Sequence, residues 1–242
     1  MALNLPRPEP QTVWPRRLLE GLLTGVIGGG LAWAVGWLLG VPIPAAIAGA
    51  VNGAISGWRW MYDWKGRGVI AFVLDSTWGL LGTTAGLVLN LVNLPRAAAG
   101  YRFDLTYRQN HQVYSAGINL KRGYALTLGN VISGAAGSID FDDPEGSAGR
   151  RQFIKKHEAL HVWQNRWFGP FYQIGYVGWL IGAGTVGVVV AFVRHQEFWS
   201  TVETFAYFDN PFEYWAYRND EYWPPRDAHQ SFVWGASKSR IE

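Results

Sequence analysis

At 242 residues the chain has room for one or two domains and for no large multidomain machine. Hydrophobic residues make up 49% and aromatic ones 15%, with 14 Trp and 30 Gly against 16% charged, which excludes disorder and an ordinary water-facing surface. A net charge of +3, scattered along the chain, gives no argument for a nucleic-acid partner. With no Cys, disulfides, thiol catalysis and Cys-ligated zinc are excluded, so any metal has to be held by His and carboxylate.

Residues 1–17 are Pro-rich and polar, and the apolar run after them is too long for a cleavable export signal, so that run is expected to stay. Leu18 to Gly40 is apolar apart from Glu20, long enough at 1.5 Å per residue to cover the roughly 30 Å hydrocarbon layer. After the Val41-Pro42-Ile43-Pro44 break, Ala45, Gly49, Gly53 and Gly57 recur every four positions. Gly21, Gly25 and Gly29 set a matching ridge on the first helix, so the two are expected to pack as a close hairpin, with glycine-zipper assembly with other membrane chains or a second copy as the other use.

Trp58 to Arg67 mixes aromatics and cations as headgroup-level segments do. Val69 to Leu94 reads as a third apolar segment, interrupted by Asp75, Ser76, Thr77 and Asn90; Asp75 is read as lying near the interface or bonding its neighbours. Residues 18–94 thus form a transmembrane region. Arg16 and Arg17, then Arg59, Lys65 and Arg67, predict an inside N-terminus and place residue 95 onward outside.

From Tyr101 to Ile139 the pattern alternates with period two between Gly and Asn punctuation, predicting short antiparallel strands. Arg150 to Trp167 reads as a helix ended by Gly169-Pro170. Ile174 to Val193 carries no charge over 20 residues, and its glycines predict a re-entrant or interface-lying hairpin turned at Gly182-Ala183-Gly184-Thr185. A true span there would carry the downstream Glu213 to the opposite side of the bilayer from the helix before it.

That helix holds His157-Glu158-Ala159-Leu160-His161. Residues four apart on a helix are about 40° apart in azimuth and about 6 Å in rise, so both imidazoles can reach one zinc ion. The carboxylate of Glu158 then stands beside the metal, where it can take a proton from water and pass it to a leaving amine. With five His in the chain, about 0.004 such matches arise by chance. A catalytic zinc wants three protein ligands, and the favoured third is Glu213, one turn into a helix that Asn210 caps and Pro211 opens; Glu203 and Glu197 are fallbacks. His111, His195 and His229 read as turn, interfacial and tail residues.

H-E-x-x-H followed by Asn210-Pro211-Phe212-Glu213-Tyr214-Trp215-Ala216 resembles the gluzincin type of zinc metallopeptidase. Together with Thr127-Leu128-Gly129-Asn130 and Trp167-Phe168-Gly169-Pro170, it is similar to small bacterial membrane-associated proteins with a minimal gluzincin-like core, over about residues 120 to 220. The resemblance implies His157, His161 and Glu213 as Zn2+ ligands and Glu158 as the base, with Leu126, Thr127 and Leu128 as an edge strand for an extended peptide. Tyr217 stands where many gluzincins have an acidic residue, so Asp220 or Asp209 is expected to support an imidazole instead.

The fold class expected is therefore an α+β membrane protein, Gly-rich transmembrane helices followed by a zincin-like domain over 95–242 with a short antiparallel sheet. Its expected function is a multi-pass bacterial membrane endopeptidase, its zincin-like domain extracytoplasmic, cutting peptide or membrane-protein substrates at the bilayer surface. The alternative is a non-catalytic accessory subunit or scaffold of a membrane complex that keeps the zincin-like module.

Overall fold

The computed structural model describes residues 13–96, 99–121, 123–137, 144–225 and 227–234. The chain is mostly helical and divides into two compact units, Met1–Gly137 and Ser138–Glu242. The unit boundary thus falls after the strands rather than at residue 95.

In the first unit, α1 (Trp14–Leu38) and α2 (Pro42–Trp58) each have a proline in the opening turn, where its missing N–H costs nothing. The two run antiparallel with their glycine ridges against each other. A Cβ at Gly53 would stand 2.3 Å from the Thr24 carbonyl oxygen, and one at Gly49 would stand 2.5 Å from the Ala32 Cβ. The close approach lets the Thr24 hydroxyl donate across to the Gly53 carbonyl at 2.7 Å. The glycine ridges are therefore consumed inside the chain, while Leu18, Leu22, Val26, Trp33 and Trp37 of α1 face outward.

The third apolar segment is not one straight helix. It is α3 (Gly68–Ser76) and α4 (Leu80–Asn93), bent by 92° at the break between them. In the segment from Trp58, the side chains of Trp60, Met61 and Tyr62 are buried against the protein, and so is Arg59. The Arg59 guanidinium donates to Asn90 Oδ1 at 2.8 Å and to Gln112, and lies 4.0 Å over the Tyr101 ring. A cation used in the core says nothing about which face is inside, so the topology read from Arg59 loses one of its supports.

The alternation after Tyr101 is only partly strand. Phe103–Thr106 is a helical turn, α5, and the sheet consists of β1 (Gln112–Val113), β2 (Leu126–Leu128) and β3 (Val131–Ser133) in the order β1-β3-β2. It is mixed rather than antiparallel, since β1 runs parallel to β3. Gly129 makes the β2–β3 turn at φ +54°, and a Cβ there would meet the Gly82 carbonyl oxygen of α4 at 2.2 Å. The turn is thereby pressed onto the broken helix pair.

The second unit runs α6 (Pro144–Phe153), a π-helical turn Ile154–Glu158, α7 (Ala159–Phe168), α8 (Pro170–Val193), α9 (Phe198–Glu203), a second π turn Thr204–Phe208, and α10 (Pro211–Asn219). Gly169 at φ +54° separates α7 from α8. The hairpin expected within 174–193 is not formed: α8 is one continuous helix, because Gly182 and Gly184 sit in helical backbone. At 24 residues it is about 36 Å long. With α1 it is one of two helices long and apolar enough to cross a membrane, and the bent α3–α4 pair would make a third, which is consistent with membrane association.

The reversal comes after α8. Past Arg194 the chain folds back along it, with Phe198 against Phe192 at 5.7 Å and the Trp179 indole donating to the Phe205 carbonyl at 3.0 Å. The return arm ends at Asp209, whose Oδ1 accepts from the Trp234 backbone N–H at 3.0 Å and so ties down the tail beside the Phe208, Tyr217, Ala228 and Val233 cluster.

Two predictions follow from this packing. Gly53→Ala should lower stability by roughly 1–3 kcal/mol through overpacking, whereas Gly30→Ala, where nothing lies within 4 Å, should leave it unchanged or raise it by up to about 1 kcal/mol, measured by thermal unfolding in detergent. Burial pushes the Asp209 carboxyl up to about 6. A raised carboxyl contributes stability below its unfolded value and loses it as pH rises through the folded value. Asp209→Asn, which keeps the acceptor for Trp234, should therefore match the parent's melting temperature at pH 4 and exceed it at pH 8 by the equivalent of ~2–3 kcal/mol.

Candidate metal centre

The H-E-x-x-H segment straddles two kinds of helix. His157 and Glu158 close the first π turn and His161 lies in α7, so the widened turn sits at the motif, a place where π turns often mark function. The imidazoles of His157 and His161 lie 4.9 Å apart between ring centres. On the other side, the Asn210 side chain accepts from the Phe212 N–H, Pro211 takes the first turn of α10, and Glu213 follows in that turn. Both elements deliver their side chains to one point.

There, His157 Nε2 stands 3.3 Å from Glu213 Oε2 and His161 Nε2 stands 3.3 Å from Glu213 Oε1. Two atoms each about 2.0–2.1 Å from a zinc ion at tetrahedral angles stand roughly 3.3–3.4 Å apart. All three residues are buried, and Glu213 Oε2 makes no hydrogen bond there. Two imidazole nitrogens and a carboxylate, all buried and with their ligand atoms within 4.8 Å of one another, are what a cation would hold together. His157, His161 and Glu213 could hold a metal ion, and the donor set accommodates zinc and its first-row neighbours alike.

The outer contacts fix which nitrogen points inward. His157 Nδ1 lies 3.0 Å from the Asp220 carboxylate, and His161 Nδ1 lies 2.8 Å from Gln164 Oε1, which as an acceptor requires the proton on Nδ1. Gln164 is held in turn by donating to the Phe212 carbonyl at 3.0 Å. The Tyr176 hydroxyl donates to Glu213 Oε1 at 2.7 Å, and the Tyr172 hydroxyl lies 3.3 Å from His161 Nδ1. Phe153 stacks on His157 at 4.5 Å and Tyr217 meets it edge-on at the same distance.

Electrostatically the three form a coupled set. Burial works against a charged His157, but the Asp220 and Glu213 carboxylates outweigh it and push the imidazole up to about 10. His161 is raised likewise, burial being overcome by Glu213. Burial would raise Glu213, yet the two imidazoles hold it well below the usual carboxylate range. A divalent cation has to displace the imidazole protons, since imidazole ligates through a bare ring nitrogen.

Glu158 is buried beside the cluster and its carboxylate contributes to raising both imidazoles. Of the two residues expected to support an imidazole, Asp220 does so and Asp209 serves the tail instead. The fallback Glu197 caps α9 through the Trp199 and Ser200 N–H groups, and among the described residues neither it nor Glu203 joins the cluster. Leu126, Thr127 and Leu128 form β2, an outer strand of the first unit, whereas the three possible ligands belong to the second.

Sequence reasoning passed over Gln164, Tyr172 and Tyr176. Gln164 lies three residues past His161 on one helix, a spacing at which side chains meet, and could have been found that way. Tyr172 and Tyr176 carry no such signal in residue order, and only the packing of α8 against α10 shows their use.

In comparisons with known proteins, no family model, no curated protein and no solved structure matches this chain.

Proposed function

We propose that the chain is a membrane-anchored, metal-dependent hydrolase of peptide bonds of the gluzincin type, working on polypeptides at the bilayer surface. The observation that carries this reading is the convergence of His157, His161 and Glu213, all buried, with their ligand atoms within 4.8 Å of one another. A bound divalent cation, zinc by the resemblance, supplies Lewis acidity toward a carbonyl oxygen and toward water. The chain's own residues do the rest. Asp220 and Gln164 hold the imidazoles with Nε2 inward, Tyr176 fixes the Glu213 carboxylate, and Glu158 takes the proton from the attacking water and hands it to the departing amine. Anchoring is supported by α1 and α8, and Tyr176, which binds the third ligand, lies in the second turn of α8, so the reaction centre belongs at one end of an apolar helix.

A second reading is favoured by one observation: His157, Glu158, His161 and Glu213 are each at most 5% exposed. A site that closed suits a structural cation in an accessory module, since catalytic sites keep a position open.

Metal analysis and peptide hydrolysis separate the two. The purified protein should carry one equivalent of a divalent metal, and His157→Ala and Glu213→Ala should each lose it. Glu158→Gln should keep the metal and lose roughly 10²–10⁴-fold in cleavage of a fluorogenic peptide library. Stoichiometric metal without cleavage by the parent favours the structural cation, and a metal-free native protein rejects both.

A further inference from the structure

At the end of the first unit where α1 begins and α2 finishes, three arginines lie among aromatic rings. Arg108 is matched by a carboxylate: its guanidinium donates to both oxygens of Glu20, at 2.6 and 2.8 Å, and the Trp64 indole donates to the same group at 2.8 Å. Glu20 is thereby used up, and Asp104 is taken by Arg102 at 2.9 Å.

Arg17 and Arg59 are matched by no such group. The Arg17 guanidinium lies 5.2 Å from the centre of the Trp60 ring and 4.8 Å from that of Phe103, and its Nε is buried without a hydrogen bond. Arg59 is 9% exposed and lies 4.0 Å over the Tyr101 ring. Both of its hydrogen bonds leave from Nη1, toward the neutral side-chain oxygens of Asn90 and Gln112. Among the described residues neither guanidinium meets a carboxylate. The two cations have a neighbour in common. Burial pushes the Tyr101 hydroxyl up to about 12, against the pull of Arg59 and, more weakly, of Arg17, so it stays a protonated donor that both cations reach. Its oxygen is buried near Thr106 and makes no hydrogen bond of good geometry.

Cations withdrawn from water without a counter-charge are expensive to keep. Two guanidinium forks beside a hydroxyl donor are the complement of an oxyanion, and of phosphate oxygens above all. The adjoining surface says what carries the phosphate. Trp14 packs edge-on against Trp58 at 5.6 Å and is exposed, and Leu18, Leu22 and Val26 continue from it at four-residue spacing along one exposed apolar face of α1, a helix long and apolar enough to cross a membrane. A lipid tail laid on that face brings its headgroup to Trp14 and Arg17, the depth at which tryptophan and basic residues sit in membrane proteins. A zwitterionic headgroup carries its own ammonium and would leave the two guanidiniums no better balanced.

We infer that Arg17, Arg59 and Tyr101 bind the headgroup phosphate of one anionic phospholipid whose tails lie along α1. The lipid supplies the negative charge that this end of the first unit lacks, and it ties the start of α1 to the end of α2 and to the segment that opens at Tyr101.

The test uses the full chain, freed of lipid by detergent exchange and titrated with phosphatidylglycerol or with phosphatidylcholine of the same tails, bound lipid being counted by native mass spectrometry. The parent should hold one phosphatidylglycerol roughly tenfold or more tighter than phosphatidylcholine. Arg17→Gln, and Tyr101→Phe, which removes a hydroxyl and nothing else, should each weaken phosphatidylglycerol by roughly tenfold or more, whereas Arg16→Gln, one residue away and exposed, should leave it unchanged. Equal retention of the two lipids by the parent overturns the site, and so does an equal loss in Arg16→Gln, the mark of a diffuse surface attraction. Undiminished affinity in folded Tyr101→Phe overturns it even if Arg17→Gln fails to fold. A rise in melting temperature with inorganic phosphate equal to that with phosphatidylglycerol would assign the cluster to a free anion and reject the lipid.

Discussion

A carboxylate shut away from water has to be met by positive charge or by donors, and Glu213 sets that requirement for the whole second unit. Two imidazoles face it at 3.3 Å, and each imidazole is braced from behind, His157 by Asp220 and His161 by Gln164. Gln164 reaches onward to the backbone of α10, the helix that carries Glu213. The chain of contacts therefore closes on itself: ligand, brace, backbone and third ligand. Its rigidity comes from that closure, because no member can rotate without leaving a buried polar group unmatched.

Closure needs α10 to be brought back to α7 across a 24-residue apolar helix. A crossing α8 alone would forbid this, since its 24 residues carry the backbone about 36 Å away from His161. The return arm solves the problem by pairing antiparallel with α8, so that Phe198 meets Phe192 and Glu213 meets Tyr176, near the end at which α8 began. Small residues make the close approach workable: a Cβ at Gly187 would lie 3.0 Å from that of Phe205. The polar stretch Arg194 to Glu197 lies at the far end, and His195 turns the chain there at φ +50°.

This explains which parts of the molecule could be read from residue order. The metal cluster was legible because its two halves are local: His157 and His161 are one helical turn apart, and Asn210-Pro211 announces a helix start that aims Glu213. The α1–α2 hairpin was legible for the same reason, its glycines recurring at a helical period. What failed was decided by partners far along the chain. Glycines in 174–193 suggested a turn, but in an apolar helix they serve close packing, and a long-range neighbour, the return arm, uses them so. Arg59 reads as an interfacial cation until Asn90 and Gln112, 31 and 53 residues away, are seen to take it inside. The alternation at Tyr101 to Tyr107 satisfies a strand's pattern, but extended pairing goes no further than the Tyr101–Tyr114 bridge and a helical turn takes over at Phe103. Neither π turn has a signature in residue type.

A chain this apolar has few polar groups to spare inside, and most of those it buries are paired. The Glu213 carboxylate is held by the Tyr176 hydroxyl beside the two imidazole nitrogens, which Asp220 and Gln164 brace in turn. An acceptor left bare at random would be expected to be lost to an apolar side chain of like volume, which removes the desolvation cost at little expense in packing. An acceptor that completes a ring of ligand atoms around one point has a reason to stay: a cation of the right charge turns the cost into binding free energy. Imidazole nitrogen beside one carboxylate favours a first-row divalent metal there.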